Sequence, residues 1–577
     1  MAVIEYDSCN YTNCGNYLCE KVCPVNRAGK KCIFHEQGQK PIISEELCIG
    51  CEICQNKCPF KAISIVNLSF DLNEPIYSYG RNLFRLYGLA VPQKNSVLGI
   101  VGRNGTGKTT LIKILSSKLI PNFGEEDASI QKVLNYYRGK KASEYFKDLY
   151  EGKVRVAIKP QNVGVIQSES TVAELLLKVG GEKELQETAE ELSIQSILNR
   201  KASSLSGGES QKVAIATTGM KKADLYFFDE PSSFLDIKER LRVARYIKNL
   251  AKNSSIIVVE HDLVLLDYLS DYVNIIYGKP KVYGFVSKIK TVREGINTYI
   301  DGYSRDENYR FRDYELNFFS TQQRESKNRR EKTIEWPLIK KKLGEFELEV
   351  QPNSIKRNEI IGVVGSNGIG KTTLMKILAG EIKNDGEELT KTIKISYKPQ
   401  YISYNGEKTV GELFEKETLS EKKQLIIKPL ELEELIDKKA KNLSGGELQR
   451  VSIALALSKK ADLYLLDEPS AYLDVEQRLV VGKTIRNIVD LFDCSAMVID
   501  HDINFVDYLS DGLMVFVGES AKKGIAQGPF EVQEGMNLLL KYLDITVRKD
   551  KDSKRPRINK PGSVLDNEQK KAGRNYA

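Results

Sequence analysis

Gly102, Asn104, Gly105 and Gly107 precede Lys108, Thr109 and Thr110 in the stretch GRNGTGKTT. Gly365, Asn367, Gly368 and Gly370 precede Lys371, Thr372 and Thr373 in GSNGIGKTT. Both fit G-x-x-x-x-G-K-[ST], the spacing of a phosphate-binding loop. Its glycines let backbone N–H groups converge on phosphate oxygens, its lysine reaches the β/γ-phosphates, and its first threonine holds Mg²⁺. Each stretch follows an apolar run, VLGIV or IIGVV, and precedes a helix-like run, LIKIL or LMKIL. A strand must bring the chain in, and a helix must start at the lysine to lend its N-terminal partial positive charge. One such loop can arise by chance; two in matching contexts argue for two nucleotide sites.

A second chemistry lies upstream. Nine of the ten cysteines fall between residues 9 and 58. Cys48, Cys51, Cys54 and Cys58, followed by Pro59, read C-x₂-C-x₂-C-x₃-C-P, the bacterial ferredoxin run for a [4Fe–4S] cluster. Cys9, Cys14, Cys19 and Cys23, followed by Pro24, form a looser version. In two-cluster ferredoxins the fourth cysteine of each run serves the other cluster. The expected sets are therefore Cys9, Cys14, Cys19 and Cys58 for one cluster, and Cys48, Cys51, Cys54 and Cys23 for the other. The three-then-one grouping and the C-P endings favour iron–sulfur over a pair of zinc sites. Cys32 and Cys494 fit neither run and are expected to be small apolar residues. His35 is expected at the surface. Whether the clusters would move electrons or staple a small domain is open at this level.

The second half of the chain repeats the first. KPQ at 159–161 recurs at 398–400, LSGGE at 205 recurs at 443, LYFFDEP recurs as LYLLDEP, and His261 recurs as His501, all at offsets of 238–240. The phosphate loops are 263 apart, so about 24 extra residues sit between the first loop and the first KPQ. They fall at about 131–155, where seven Lys/Arg interleave with Tyr136, Tyr137, Tyr145, Phe146 and Tyr150. Gly139 divides this insert into two helical stretches. Tyr145, Phe146, Leu149 and Tyr150 share a face expected to pack on the domain, leaving the basic residues for RNA phosphates.

These motifs resemble the nucleotide-binding domain of the ATP-binding cassette (ABC) family over about 450 residues. The resemblance implies that Gln161 and Gln400 contact Mg²⁺ and the attacking water, and that Asp229 and Asp467 hold Mg²⁺. Glu230 and Glu468 would polarise the water, and His261 and His501 would contact the γ-phosphate. It further implies a head-to-tail pair of cassettes. Ser206, Gly207, Gly208 and Glu209 would cap the ATP held by Lys371; Ser444, Gly445, Gly446 and Glu447 would cap the ATP held by Lys108. Both sites keep the full set and should hydrolyse ATP. The first signature reads SGGESQK where the second reads SGGELQR, so Ser210 and Lys212 are a candidate source of inequality between sites. Tyr79 or Phe84 is a candidate to stack on adenine in the first half, and Trp336 in the second, with core packing as the alternative for each.

A chain of 577 residues allows about three to five domains. With 41% hydrophobic and 28% charged residues it reads as soluble and globular, and it has no run long enough to span a membrane. The N-terminus has no basic segment before an apolar core, so no signal peptide is expected. Net charge is +8, of which +6 lies from Thr546 to the end, in a tail that points to an acidic partner or is simply solvated.

The fold class expected is α/β: two P-loop cassettes in tandem behind a small α+β ferredoxin-like domain. The divisions are 1–73 for the cluster domain, 74–290 and 326–525 for the cassettes, 291–325 for a hinge, and 526–577 for a second hinge and tail. The echo V-x-E-G-x-N at Val292 and Val532 marks the paired hinges. Together these features resemble the ABC-E family of ribosome-recycling ATPases, the RNase L inhibitor proteins. That resemblance implies two ATP, Mg²⁺ and two [4Fe–4S] clusters. It also implies ATP-driven splitting of ribosomes alongside a release factor or Pelota-like factor, retention on the small subunit, a cytoplasmic monomer and no membrane partner. The compact chain leans toward an archaeal source. A cluster-bearing ATPase of redox or DNA-processing chemistry is the competing expectation.

Overall fold

The computed structural model describes the chain except residues 1, 7, 67–73, 160, 162–168, 319–331, 387–392, 401–406, 415–421 and 577. The expected boundaries at residues 73 and 325 fall outside the described residues, as does the proline of the first KPQ.

Each half is built on one twisted sheet, and the two sheets have the same strand order. In the first, the parallel core runs Tyr272–Tyr277, Val97–Gly102, Ser255–Val259, Leu225–Asp229, Val156–Lys159. In the second it runs Gly512–Glu519, Ile360–Val364, Ser495–Ile499, Leu463–Asp467, Ile395–Lys398. Strands buried on both faces read as continuous apolar runs, and this is what VLGIV, IIGVV, LYFF and LYLL are. The strands ending in the phosphate loops are central, so both loops emerge at the carboxyl edge of their sheets beside the ends of the Asp–Glu strands. Each loop feeds a helix, Lys108–Leu115 or Lys371–Leu378.

The insert is a helix pair, Ile130–Tyr136 and Lys141–Tyr150, turning at Gly139 with φ +79°. Phe146 and Leu149 are buried against Leu111 and Leu115, and Tyr145 Oη bonds the Leu115 carbonyl. Arg138, Lys141 and Lys147 face outward. The aromatic face therefore packs on the domain, as its spacing predicts.

The cysteine-rich segment pairs strand Ala2–Ile4 with Ile63–Ile65 and carries short helices Leu18–Val22 and Ile53–Lys57. It sits on the first half. Asn82, buried, accepts from the Ile43 N–H at 2.8 Å and donates to the carbonyls of Ala2 and Ile43, both at 3.0 Å. Val3 packs on Tyr87, Val282 and Tyr283.

The basic tail is folded onto the body, with Lys551, Lys554, Lys560, Lys571 and Arg574 still exposed. Strands Val547–Lys549 and Pro556–Ile558 and helix Val564–Lys571 fold onto the body. Arg555 is fully buried and pairs with Asp267 at 3.4 Å. Arg557 pairs with Asp267 at 2.6 Å and with Asp550 at 3.0 Å. Lys549 lies 3.9 Å from Asp507. Buried arginine demands a carboxylate, so Arg555 and Arg557 tie the tail to the first half through Asp267. The hinge helices Val292–Asp301 and Val532–Tyr542 also pack inward, through Ile296, Tyr299 and Ile300 in one and Met536, Leu539 and Leu540 in the other.

Candidate functional site: two nucleotide sites and a thiol-lined domain

The two phosphate loops share one geometry. Gly107 and Gly370 both have φ +99°, a left-handed conformation that favours glycine. A Cβ on Gly107 would meet the Phe84 ring at 2.7 Å, and one on Gly370 would meet the Phe346 ring at 2.9 Å. Phe84 therefore floors the first loop, and Phe346 is its counterpart. Trp336 is buried, with Nε1 donating to the Gln351 carbonyl at 3.0 Å, and takes the core role instead. Tyr79 is half exposed, its hydroxyl 3.1 Å from Thr110 Oγ1.

Both lysines fold back on their loops. Lys108 Nζ donates to the carbonyls of Gly102 at 2.9 Å and Arg103 at 2.8 Å; Lys371 Nζ donates to those of Gly365 at 2.8 Å and Ser366 at 2.7 Å. Burial lowers both ammonium pKa values, that of Lys371 to about 8. An anion would relieve this desolvation.

Behind each loop stands a Gln–Glu–His group. Gln161 Nε2 donates to Glu230 Oε1 at 2.5 Å, and Gln400 Nε2 to Glu468 Oε1 at 2.8 Å. His261 Nε2 is 3.6 Å from Glu230 Oε1, and His501 Nε2 is 3.5 Å from Glu468 Oε1. Glu230 and Glu468 both hold φ +47°, a strained state for a residue with a side chain. Burial, then the neighbouring glutamate carboxylate, pushes Asp229 up to about 6; burial drives Asp467 to about 6 as well, with Glu468 adding to it. Thr372 Oγ1 donates to Asp467 Oδ2 at 2.7 Å. Asp467 Oδ1 and both ring nitrogens of His261 are buried without a hydrogen-bond partner among the described residues. Buried polar atoms of this kind are costly unless something binds them. A cation at Asp467 and a phosphate oxygen at His261 would satisfy them.

Sequence reasoning missed two supports. Lys159 Nζ, buried, donates to the carbonyls of Asp229 at 2.8 Å and Glu230 at 3.3 Å; Lys398 does the same for Asp467 at 2.7 Å and Glu468 at 3.3 Å. Gln211 and Gln449 Nε2 add bonds to the glutamate carbonyls at 2.7 and 2.6 Å. These four side chains brace the strained glutamates. All sit in repeated motifs, KPQ and SGGExQ, so the duplication itself was the available signal.

The halves meet head to tail. Ser206 and Ser444 cap their own helices in reciprocal boxes with Glu209 and Glu447. Matching bonds from SSFLD and SAYLD reach the opposite phosphate loop. Asp474 Oδ2 accepts the Asn104 N–H at 2.9 Å, and Asp236 Oδ2 accepts the Asn367 N–H at 2.8 Å. The rings of Phe234 and Tyr472 meet edge to face at 5.6 Å. Between the two Glu–His pairs lies a shared pocket. The second signature helix does face the first loop: the Lys281 N–H donates to the Gly105 carbonyl at 2.9 Å, while Lys281 Nζ is 3.9 Å from Glu447 Oε1.

In the N-terminal domain the thiols fall into two groups. Cys9, Cys14, Cys19 and Cys58 line one pocket. Cys23, Cys48, Cys51 and Cys54 line another. Among the described residues no three Cys, His, Asp or Glu converge as a single metal ion requires. Four thiols around a wider space suit a multi-iron cluster, whose irons supply the positive charge buried thiolates need. Cys32, expected to be simple core, lines the second cavity as well. Cys494 is core. His35 is exposed, as expected, stacked on Tyr17 at 3.5 Å and paired with Glu20 at 2.7 Å.

Residues 91–233 and 352–471 match the ABC transporter family model, and residues 41–64 match the 4Fe-4S binding domain. The chain is 47% identical to an uncharacterized ABC transporter ATP-binding protein of Methanocaldococcus jannaschii, with 100% of this chain and 97% of the relative covered. It is 44% identical to translation initiation factor RLI1 of Chaetomium thermophilum, with 100% and 97% covered. Its structure resembles a chain in a model of ribosome-bound archaeal Pelota and ABCE1, with a TM-score of 0.96, 48% identity, and 100% and 99% coverage. It also resembles a chain in the complex of archaeal ribosomal stalk protein aP1 with ribosome recycling factor aABCE1, with a TM-score of 0.82, 46% identity, and 88% and 100% coverage.

Proposed function

The chain belongs to the ABC-E family, the RNase L inhibitor proteins, and from that premise we propose that it is the ATPase that splits ribosomes into subunits after termination or rescue. The observation that carries this reading is full-length likeness, cluster domain included, to ABCE1 in its ribosome-bound form beside Pelota. The partners are the ribosome, chiefly its small subunit, and a release or Pelota-like factor. The protein acts as a cytoplasmic monomer; among the described residues no helix is long and apolar enough to cross a membrane. Its domains divide at 1–73, 74–290, 291–325, 326–525 and 526–577.

Two ATP-binding cassettes hydrolyse ATP. In each, the backbone N–H groups of the loop and the ammonium of Lys108 or Lys371 bind the phosphates. Thr109 with Asp229, and Thr372 with Asp467, would hold Mg²⁺, which would supply charge neutralisation at the phosphates. Glu230 and Glu468 orient the attacking water, with Gln161 and Gln400 fixing the carboxylates and His261 and His501 facing the γ-phosphate. Ser206–Glu209 and Ser444–Glu447 close over the partner's nucleotide, and Tyr79 and Phe84 lie on the adenine side of the first site. The eight cysteines hold two [4Fe–4S] clusters. Closure does work because the closed form contacts the separated small subunit better than the joined ribosome.

Sedimentation tests the reading. With a non-hydrolysable ATP analogue the protein should migrate with the small subunit, and Lys108→Ala or Lys371→Ala should abolish this. Absence of nucleotide-dependent association would refute ribosome recycling.

A further inference from the structure

The two composite sites differ in one buried feature centred on Glu476, a residue outside the motifs. Glu476, on the second-half helix Val475–Phe492, is 5% exposed. Each of its carboxylate oxygens faces a guanidinium. Oε1 accepts from Arg312 Nη1 at 3.0 Å, and Oε2 lies 3.3 Å from Arg103 Nε. Arg103 belongs to the first phosphate loop. Arg312 belongs to the hinge segment, where its guanidinium also donates to the carbonyls of Tyr314 at 2.8 Å and Tyr299 at 2.6 Å. Arg103 extends the network to Glu431 at 3.4 Å, which in turn meets Arg450 at 3.3 Å. Asn104, the next loop residue, gives its N–H to Asp474, two residues before Glu476. The first phosphate loop is thus gripped at consecutive residues by the start of one second-half helix, and the hinge is tied to the same carboxylate.

The other site has no such arrangement among the described residues. The repeat places Ser366 where the first loop has Arg103, and Lys238, exposed, where the second half has Glu476. Only the backbone bond from Asn367 to Asp236 recurs. A buried carboxylate between two guanidiniums is costly to break, because separation strands a charge in a low-dielectric interior. It is also linked to the nucleotide: Lys108 Nζ bonds the Arg103 carbonyl and must leave it to reach a phosphate.

We propose that Arg103, Glu476 and Arg312 form a latch that holds the Lys108 site shut longer than the Lys371 site, so that the two sites open in a fixed order. The latch residues are positioning residues: none is assigned to the reacting atoms. The inference rests on the reading of both sites as ATP sites. It assigns the order of opening to a hinge contact, so movement of residues 301–316 reports on one site and not the other.

The test measures release of a fluorescent ADP analogue from the full, cluster-loaded chain. Lys371→Ala leaves only the Lys108 site to bind, and Lys108→Ala leaves only the Lys371 site. Glu476→Gln should speed release from the Lys108 site about tenfold, since losing one partner of a buried pair acts mainly on the off-rate. It should leave the Lys371 site within about twofold. Conversely, Ser366→Arg with Lys238→Glu, which copies the pair into the other site, should slow release there. A general loss of packing would speed both sites and rescue neither. Should Glu476→Gln fail to retain its clusters, Arg103→Ser, which installs the other loop's residue, is measured instead. Equal release from the two sites, or equal acceleration of both, overturns the latch. Failure of the analogue to bind in either background overturns the ATP-site reading as well, so the two failures are distinguishable.

Discussion

The two nucleotide sites agree closely where their motifs agree and part where the motifs end. Gln–Glu distances of 2.5 and 2.8 Å, His–Glu distances of 3.6 and 3.5 Å, and cross-half Asn–Asp bonds of 2.9 and 2.8 Å describe one catalytic device made twice. Around it, equivalent positions hold different residues: Arg103 against Ser366, Glu476 against Lys238, Lys281 against Ala521. The member of each pair that makes an ion pair across the halves belongs to the Lys108 site. Lys281 Nζ joins that site to the cluster domain through Glu5 at 2.5 Å and to the opposite signature helix through Glu447. Ala521 keeps the backbone bond to the loop, to Gly368 at 2.9 Å, and nothing of the ion pairs. Chemistry is thus duplicated, while connection to the hinge and the cluster domain is given to one copy.

The largest expected effect tests the duplicated part. Glu230→Gln and Glu468→Gln should each lower hydrolysis at their own site by about 10²–10³-fold, the range for losing a positioned base, with ATP still bound. Single-turnover hydrolysis and nucleotide filter binding measure the two quantities. Residual steady-state turnover should differ between the variants; identical rates would remove the asymmetry.

The tail provides a second comparison. Asp267 and Asp507 are equivalent aspartates, 240 residues apart, and the tail meets both. Asp267 carries two arginines, one fully buried, whereas Asp507 has a half-exposed lysine at 3.9 Å. Asp267→Ala should destabilise the protein by about 3–5 kcal/mol because Arg555 would be left buried and unpaired. Asp507→Asn should cost about 1 kcal/mol or less. Denaturant titration followed by tryptophan emission, using the single Trp336, reads both.

Legibility followed the same divide. Phosphate loops, Asp–Glu strands, glutamines, histidines and the cysteine sets are contiguous runs, and duplication at a constant offset exposed them. Phe346 was missed in favour of Trp336, because choosing between aromatics needs the strand register that sets one ring under Gly370. The latch was invisible: Arg103, Arg312 and Glu476 belong to three segments, and only the fold makes them neighbours. The folding of the tail was not legible, since a count of charges records neither Asp267 nor the burial that pairs it with Arg555. Composition reports how many ions a segment has, and tertiary structure decides which are available.

A pH experiment compares the metal-binding aspartates. Asp229 and Asp467 are both raised to about 6 by burial. A proton on the carboxyl competes with a cation, so Mg²⁺ affinity should fall as pH drops. The slope should be about tenfold per pH unit below about 6, and flat above about 7, at each site. Mg²⁺-dependent nucleotide binding, followed from about a unit below that pKa to about a unit above it, measures the slope in the two single-site backgrounds. Parallel curves would keep the asymmetry out of the metal step; a displaced curve at one site would bring it in, with the Thr372–Asp467 bond as the first candidate.

The smallest effect concerns the signature residues that differ in sequence. Lys212 stands where the second signature has Arg450, and the difference looks like a source of inequality. In the structure both side chains do one job. Lys212 Nζ donates to the Ser193 carbonyl at 3.3 Å, and Arg450 Nη1 donates to the carbonyl of Leu430, one residue before the equivalent position, at 2.7 Å. Lys212 also pairs with Glu239 at 2.8 Å, so its charge is already compensated. Lys212→Arg should therefore change turnover at either site less than about twofold, as for a substitution that preserves charge and partner. A larger change confined to the Lys371 site would return the asymmetry to the signature motif and weaken the case that contacts outside the motifs, at the hinge and the cluster domain, set the order of the two sites.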